Sequence, residues 1–246
     1  MKRRYFNYFI RTMAMLPVVA CGLMAGCSGT GSSKAGSTVA SSDEQKEEEL
    51  TAKWGPERST FTMENPADYP IFNAITNNPT IGDERTFVRI GKITKEKTDL
   101  STEDIFIESG SQYLVQVYIH NNASSTYNDS AHNHVGVAVG TRLSVEMPDE
   151  ISSDKDGQII AKISAENTKP AEVWSSVRLY SKDKAIKLKY VAGSAKIYND
   201  WETNGNIIPS SFLSKEGTFV GLNKLDGLMP GCEEYHCIVT FVIDAE

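Results

Sequence analysis

Cysteine, histidine and tryptophan are scarce in this chain of 246 residues: four, four and three. Two of the cysteines fall within the first 27 residues, which leaves Cys232 and Cys237 for the rest. That is too few for the disulfide-dense scaffold of a small secreted domain. Positive charge is also short. Lys and Arg total 25 against 32 Asp and Glu, and four of the bases (Lys2, Arg3, Arg4, Arg11) precede residue 27 with no acid among them. From Cys27 onward the net charge is −11, so binding to nucleic acid through a general electrostatic field is excluded. Long amphipathic helical patterns are missing. There is no Gly-rich phosphate loop, no G-x-S-x-G elbow and no H-E-x-x-H motif. The carboxylates are plentiful but scattered, as on a solvated acidic surface. No cofactor is expected and no catalytic residue stands out.

What is present at the N-terminus has the three parts of an export signal. Met1 to Arg11 is basic, and Thr12 to Gly26 is fifteen residues without a charge. That stretch is shorter than the about 20 residues a spanning helix needs, and Pro17 interrupts it. It ends in Leu23-Met24-Ala25-Gly26-Cys27. Small residues before a cysteine resemble the bacterial lipobox, and the resemblance implies that Cys27 carries the lipid and becomes the mature N-terminus. Val18-Val19-Ala20-Cys21 is a rival box. Cys27 is preferred because Ser28-Gly29-Thr30-Gly31-Ser32-Ser33 turns polar at once, whereas Gly22-Leu23-Met24 after Cys21 stays apolar. Residues 1–26 are thus read as a lipoprotein signal peptide, and the chain is expected on the extracytoplasmic face of a cell membrane, held by lipid at about 0.8 kcal/mol per buried CH₂.

Residues 27–53 read as a flexible acidic, Ser-rich tether. Between 28 and 53 there are six Ser, three Gly and no aromatic residue, with acids at Asp43, Glu44, Glu47, Glu48 and Glu49. Such composition cannot bury enough apolar surface to order itself. A coil of this length reaches roughly 25–30 Å.

Residues 54–246 read as one folded domain. From 54 to 85, Pro, Asn and aromatics interrupt every period, which predicts an irregular N-terminal extension pinned over a core by its aromatics. Strand patterns follow: 86–90, 104–108, 113–119, 135–145, 158–164, 173–180, 186–190, 195–198, 218–222 and 237–243. In the clearest, Tyr113, Val115, Val117 and Ile119 share one face and Gln116 and His120 the other. Asp156-Gly157, Asn204-Gly205 and Asp226-Gly227 mark turns, and Ser210–Lys215 is a short helical turn. About ten short strands with regular punctuation predict an all-β antiparallel sandwich; a two-domain alternative would break near Asp149–Gly157.

Several motifs recur in a familiar order: Gly110-Ser111-Gln112-Tyr113, Val115–Asn122, Arg142–Pro148, Tyr190–Ser194, Leu228-Met229-Pro230-Gly231 and 238–245. This order resembles the immunoglobulin-like conserved-repeat modules of bacterial surface proteins. The resemblance covers 110–148 and 189–245 and treats 149–185 as an insertion. It implies an immunoglobulin-like fold and a spacer, stalk or adhesive role, and supplies no catalytic residues.

Two clusters hold candidate chemistry. Cys232 and Cys237 enclose Glu233-Glu234-Tyr235-His236. In an oxidising compartment a disulfide is the leading reading, worth about 2–3 kcal/mol for so small a loop; free thiols and a metal site are the alternatives. The pairing requires a turn at Glu234-Tyr235, because a straight strand would hold the two residues about 16–17 Å apart. His132 and His134, two residues apart, could meet His120 at the end of the preceding strand and bind zinc or copper; the competing reading is an exposed polar loop. Three functions follow. The first is a non-enzymatic lipid-anchored surface protein that binds, adheres or spaces, with cell-wall or surface proteins and glycans as partners. The second is a solute- or metal-capturing lipoprotein using His120, His132 and His134. The third is a glycan-active enzyme, which needs two carboxylates about 5–10 Å apart in a cleft.

Overall fold

The computed structural model describes residues 53–246 apart from Lys184. Cys21, Cys27, the signal and the tether up to residue 52 lie outside the described residues. Among the described residues twelve strands follow one another: β1 (Trp54–Gly55), β2 (Val88–Lys92), β3 (Ile105–Phe106), β4 (Ser111–Ile119), β5 (Arg142–Glu146), β6 (Glu150–Ile151), β7 (Gly157–Ser164), β8 (Glu172–Tyr180), β9 (Ile186–Tyr190), β10 (Lys196–Tyr198), β11 (Thr218–Phe219) and β12 (Cys237–Ala245). They form two six-stranded sheets. One has the order β1-β8-β7-β5-β11, with β3 pairing β8 in parallel. The other has the order β2-β4-β12-β9-β6, with β10 also pairing β12. All pairings except β3 with β8 are antiparallel. The fold is an all-β sandwich, and the described residues belong to one compact unit, without a break near 149–157.

Period-2 alternation builds the core. Tyr113, Val115, Val117 and Ile119 of β4 and Val239, Phe241 and Ile243 of β12 face inward, against Ile159, Ala161 and Ile163 of β7 and Val173, Val177 and Leu179 of β8. Each such aliphatic contributes about 1.5–3 kcal/mol by leaving water. Tyr113 is fully buried and its hydroxyl accepts the Glu108 N–H at 2.8 Å, which pins the turn before β4. Burial pushes its phenol above its ordinary range, so it stays a neutral partner. Residues 149–185 are not an appendage: they supply β6, β7 and β8, two of them central strands of a sheet. The strand expected over 135–145 begins only at residue 142, as Arg142–Glu146, and the helical turn narrows to a 3-10 turn at Ser210–Leu213.

The irregular extension covers the far end of β4. Ala67 N–H donates to Asn122 O, Ser124 N–H to Ala67 O and Asn122 N–H to Ile71 O, while Asn73 exchanges backbone and side-chain bonds with His120. Ile71, Ala74 and Ala67 form a small satellite core edged by Phe61 and Tyr69. The Arg85 guanidinium lies 4.2 Å and the Arg58 guanidinium 5.4 Å from the Trp54 ring centroid, closing the start of the domain. This cover buries His120, which the alternation of β4 placed on the opposite face from the core: the extension supplies a second, polar interior there.

Candidate functional site

Four connections meet at one end of the sandwich: 120–141 after β4, 199–207 after β10, 220–236 before β12, and the β7–β8 turn carrying Asn167. Between them lies a cleft of about 740 Å³. This is within the size range of ligand sites, and loops on a rigid frame are where such sites occur.

The scaffold of the cleft is made by asparagine. The fully buried Asn121 carboxamide donates to Gly136 O and Met229 O, both at 2.8 Å, and accepts the N–H groups of Ile71 and Ala123. Asn128 pairs reciprocally with Gly231, donating to its carbonyl at 2.8 Å and accepting its N–H at 2.9 Å. Asn167 does the same for the valine segment, donating to Val137 O and accepting Val139 N–H. Two glycines are required at these close approaches. A Cβ on Gly136 would lie 2.8 Å from Tyr127 Cβ, and one on Gly231 would lie 2.4 Å from Ala123 O. Two successive left-handed residues, Asn133 (φ 52°) and His134 (φ 54°), turn the chain into the valine segment.

The lining is apolar with a polar rim. Val135, Val139, Leu228 and Trp201 are exposed in the cleft, while the residues between the valines, Gly136 and Ala138, are buried. Trp201 stacks on Tyr235 at 5.1 Å and 20° and donates its Nε1–H to Glu234 O. Its backbone N–H is held by Asn199 Oδ1 at 2.8 Å. Burial, then the Glu234 charge, raises the Tyr235 phenol above its usual range, so it remains an O–H. Asp226 accepts the Leu228 N–H and is, among the described residues, the one carboxylate lining the cleft. Among the described residues, the side chains of Asn133 and Asn223 have no hydrogen-bond partner, and both line the cleft.

The three histidines do not converge. His120 is buried beside Glu84, 2.9 Å from Nδ1 to Oε1. His132 is half-buried on Asp129, and the exposed His134 donates from Nδ1 to Asn128 O. Among the described residues no three His, Cys, Asp or Glu are grouped to hold a metal ion. Of the three weak candidates, His120 is buried under the cover over β4, while His132 and His134 stay on the loop that follows that strand.

Cys232 and Cys237 are free thiols, not joined to each other. The turn that a disulfide requires is present, as a 3-10 turn at Glu233–Tyr235. Cys237, however, opposite Ile119, is fully buried at the head of β12, while Cys232 is half-buried with φ 105°. Burial pushes the Cys237 thiol up to about 12, which leaves it a core residue with almost no thiolate at neutral pH.

The Asn scaffold and the Trp201–Tyr235 platform were not singled out from sequence. The available signal was Val135, Val137 and Val139 alternating with Gly136, Ala138 and Gly140, a strand-like period with the large side chains on the face left open. Comparison of the chain with protein-family models, curated proteins and solved structures finds no match.

Proposed function

We propose that the protein is a non-enzymatic, lipid-anchored extracytoplasmic binding module whose ligand site is the Trp201–Leu228 cleft. The observation that carries this reading is where the apolar surface lies. Of the six large hydrophobic residues left exposed among the described residues (Phe106, Val135, Val139, Trp201, Ile207 and Leu228), four line this one cleft. A concentrated apolar lining inside a concave, hydrogen-bonded frame marks an interaction site, where scattered exposed residues would not. The order of basic, apolar and small residues before Cys27 supports the anchor, and the polar tether supports display away from the bilayer.

Two measurements test it. A fatty-acid reporter fed to producing cells should label the wild-type protein and the Cys21→Ala variant but not Cys27→Ala; label that survives Cys27→Ala refutes the anchor. An apolar fluorescent dye should bind the folded chain with a stoichiometry of one, and Val139→Asp should abolish this without lowering the thermal midpoint. Dye binding unaffected by Val139→Asp would refute the cleft.

A further inference from the structure

We infer that the ligand of this cleft is a neutral saccharide, with one ring laid on the Trp201–Tyr235 platform and its hydroxyls bound by the Asn133, Asn223 and Asp226 rim. The inference rests on the binding-module reading above and deepens it.

From Gly136 to Val139 the backbone of the cleft wall is already spent, the Gly136 carbonyl on Asn121. Gly136 N–H donates to Tyr127 O, Ala138 and Met229 exchange both bonds, and Asn167 takes Val137 O and Val139 N–H. Val137 N–H donates to His134 O, and Val139 O accepts Glu166 N–H. An extended peptide that binds by adding a strand needs free edge groups, and none are offered along this segment. Recognition therefore falls to side chains.

Those side chains are of two kinds. The indole is held by its Nε1–H bond to Glu234 O and by Tyr235, and its loop is braced by Asn199, which also donates to Thr203 Oγ1 at 2.8 Å. It is a flat apolar surface fixed before the ligand arrives, which lowers the ordering cost of binding. Val135, Val139 and Leu228 extend that surface. Around it stand two carboxamides without partners and a carboxylate. A hydroxyl is both donor and acceptor, and a carboxamide matches both roles, while a carboxylate accepts. A sugar ring presents this same division, an apolar C–H face edged by hydroxyls. A purely aliphatic ligand would use the valines and leave the rim idle.

Charge narrows the class. Asp226 lines the cleft, Asp200 and Glu202 flank Trp201, and the chain from Cys27 carries −11. An anionic glycan would meet like charge, so a neutral one is favoured.

The test uses the chain from Ser28 to Glu246, which holds the whole compact unit. The neutral probes are the tetramers of N-acetylglucosamine, β-1,4-glucose and α-1,4-glucose, with a galacturonate tetramer as the anionic probe. Binding is read by calorimetry and by saturation-transfer NMR, and the apolar dye is the parallel control. At least one neutral tetramer should saturate one site. Trp201→Ala should weaken it about tenfold while Trp201→Phe keeps most of the affinity. Asn223→Ala and Asp226→Ala should each cost about three- to tenfold, and galacturonate should not bind. If no neutral tetramer saturates by about 10 mM while the dye still occupies the cleft, the saccharide class is overturned and the cleft stands. If the dye fails too, both readings fall. Saccharide binding that ignores Trp201→Ala in a variant with a native circular dichroism spectrum also overturns the inference.

Discussion

At Glu84 a carboxylate sits where water does not reach. Its side chain is fully buried, and it accepts from Asn78 Nδ2 at 2.7 Å, Asn122 Nδ2 at 2.9 Å and His120 Nδ1 at 2.9 Å. Burying an ionisable group is costly unless its lone pairs are filled, and here three donors from two segments fill them. Asn122 also accepts the Ala74 N–H, and Asn73 donates to Tyr118 O at 2.9 Å, so one polar cluster fastens the extension to the end of β4. His120 Nδ1 also lies 2.8 Å from Asn122 Nδ2, and its Nε2 is buried without a partner. Glu84→Ala strips the acceptor from three buried donors and should lower the unfolding free energy by about 3–5 kcal/mol. Urea unfolding measures this. A loss below about 1 kcal/mol would mean that water replaces the carboxylate and that the cluster does not hold the cover.

Among the elements, the legible ones were those whose alternation has a single buried face. β4, β7, β8, β9 and β12 appeared where the pattern put them, because their large residues point at the opposite sheet and tertiary packing agrees with the local period. Residues 149–185 looked inserted only against the resembled repeat. Their own alternation, Ile159, Ala161 and Ile163, is that of a core strand and is used as one. The failure at 135–141 is of another kind. The period of two is real, but Ala138 faces inward to pair with Met229, and the valines face the cleft. Nothing in one sequence says which face of such a segment is covered, because the answer lies in a side-chain clamp from a residue 28 positions away. That clamp is testable. Asn167→Ala removes both bonds to the valine segment, at a net cost of about 1–3 kcal/mol if none is replaced. Amide hydrogen exchange at Val139 should quicken while the amides of β7 and β8 keep their protection, and the apolar dye should bind more weakly. Exchange at Val139 unchanged from wild type would show that the segment holds its shape without Asn167.

For the whole molecule, the question is what the proposed lipid anchor would have to overcome to hold it at a membrane. Among the described residues no helix is long and apolar enough to cross a bilayer. The chain from Cys27 onward carries −11, and an anionic leaflet attracts basic segments and repels acidic ones. The proposed lipid on Cys27 therefore works against electrostatics. A single acyl chain gives marginal, reversible binding, and several chains on one cysteine are needed to hold the protein through that repulsion. The chain from Ser28 to Glu246 should accordingly stay in the supernatant when mixed with phosphatidylserine vesicles. It should do so at low salt as well as high, because lowering the ionic strength lengthens the Debye length and strengthens repulsion. Sedimentation with the vesicles decides it. Binding that appears at low salt and vanishes at about 0.15 M would require a basic face that overrides the net charge. Binding that persists at both would place an apolar membrane contact on the body itself. Neither is compatible with a body that reaches the membrane only through its N-terminal tether.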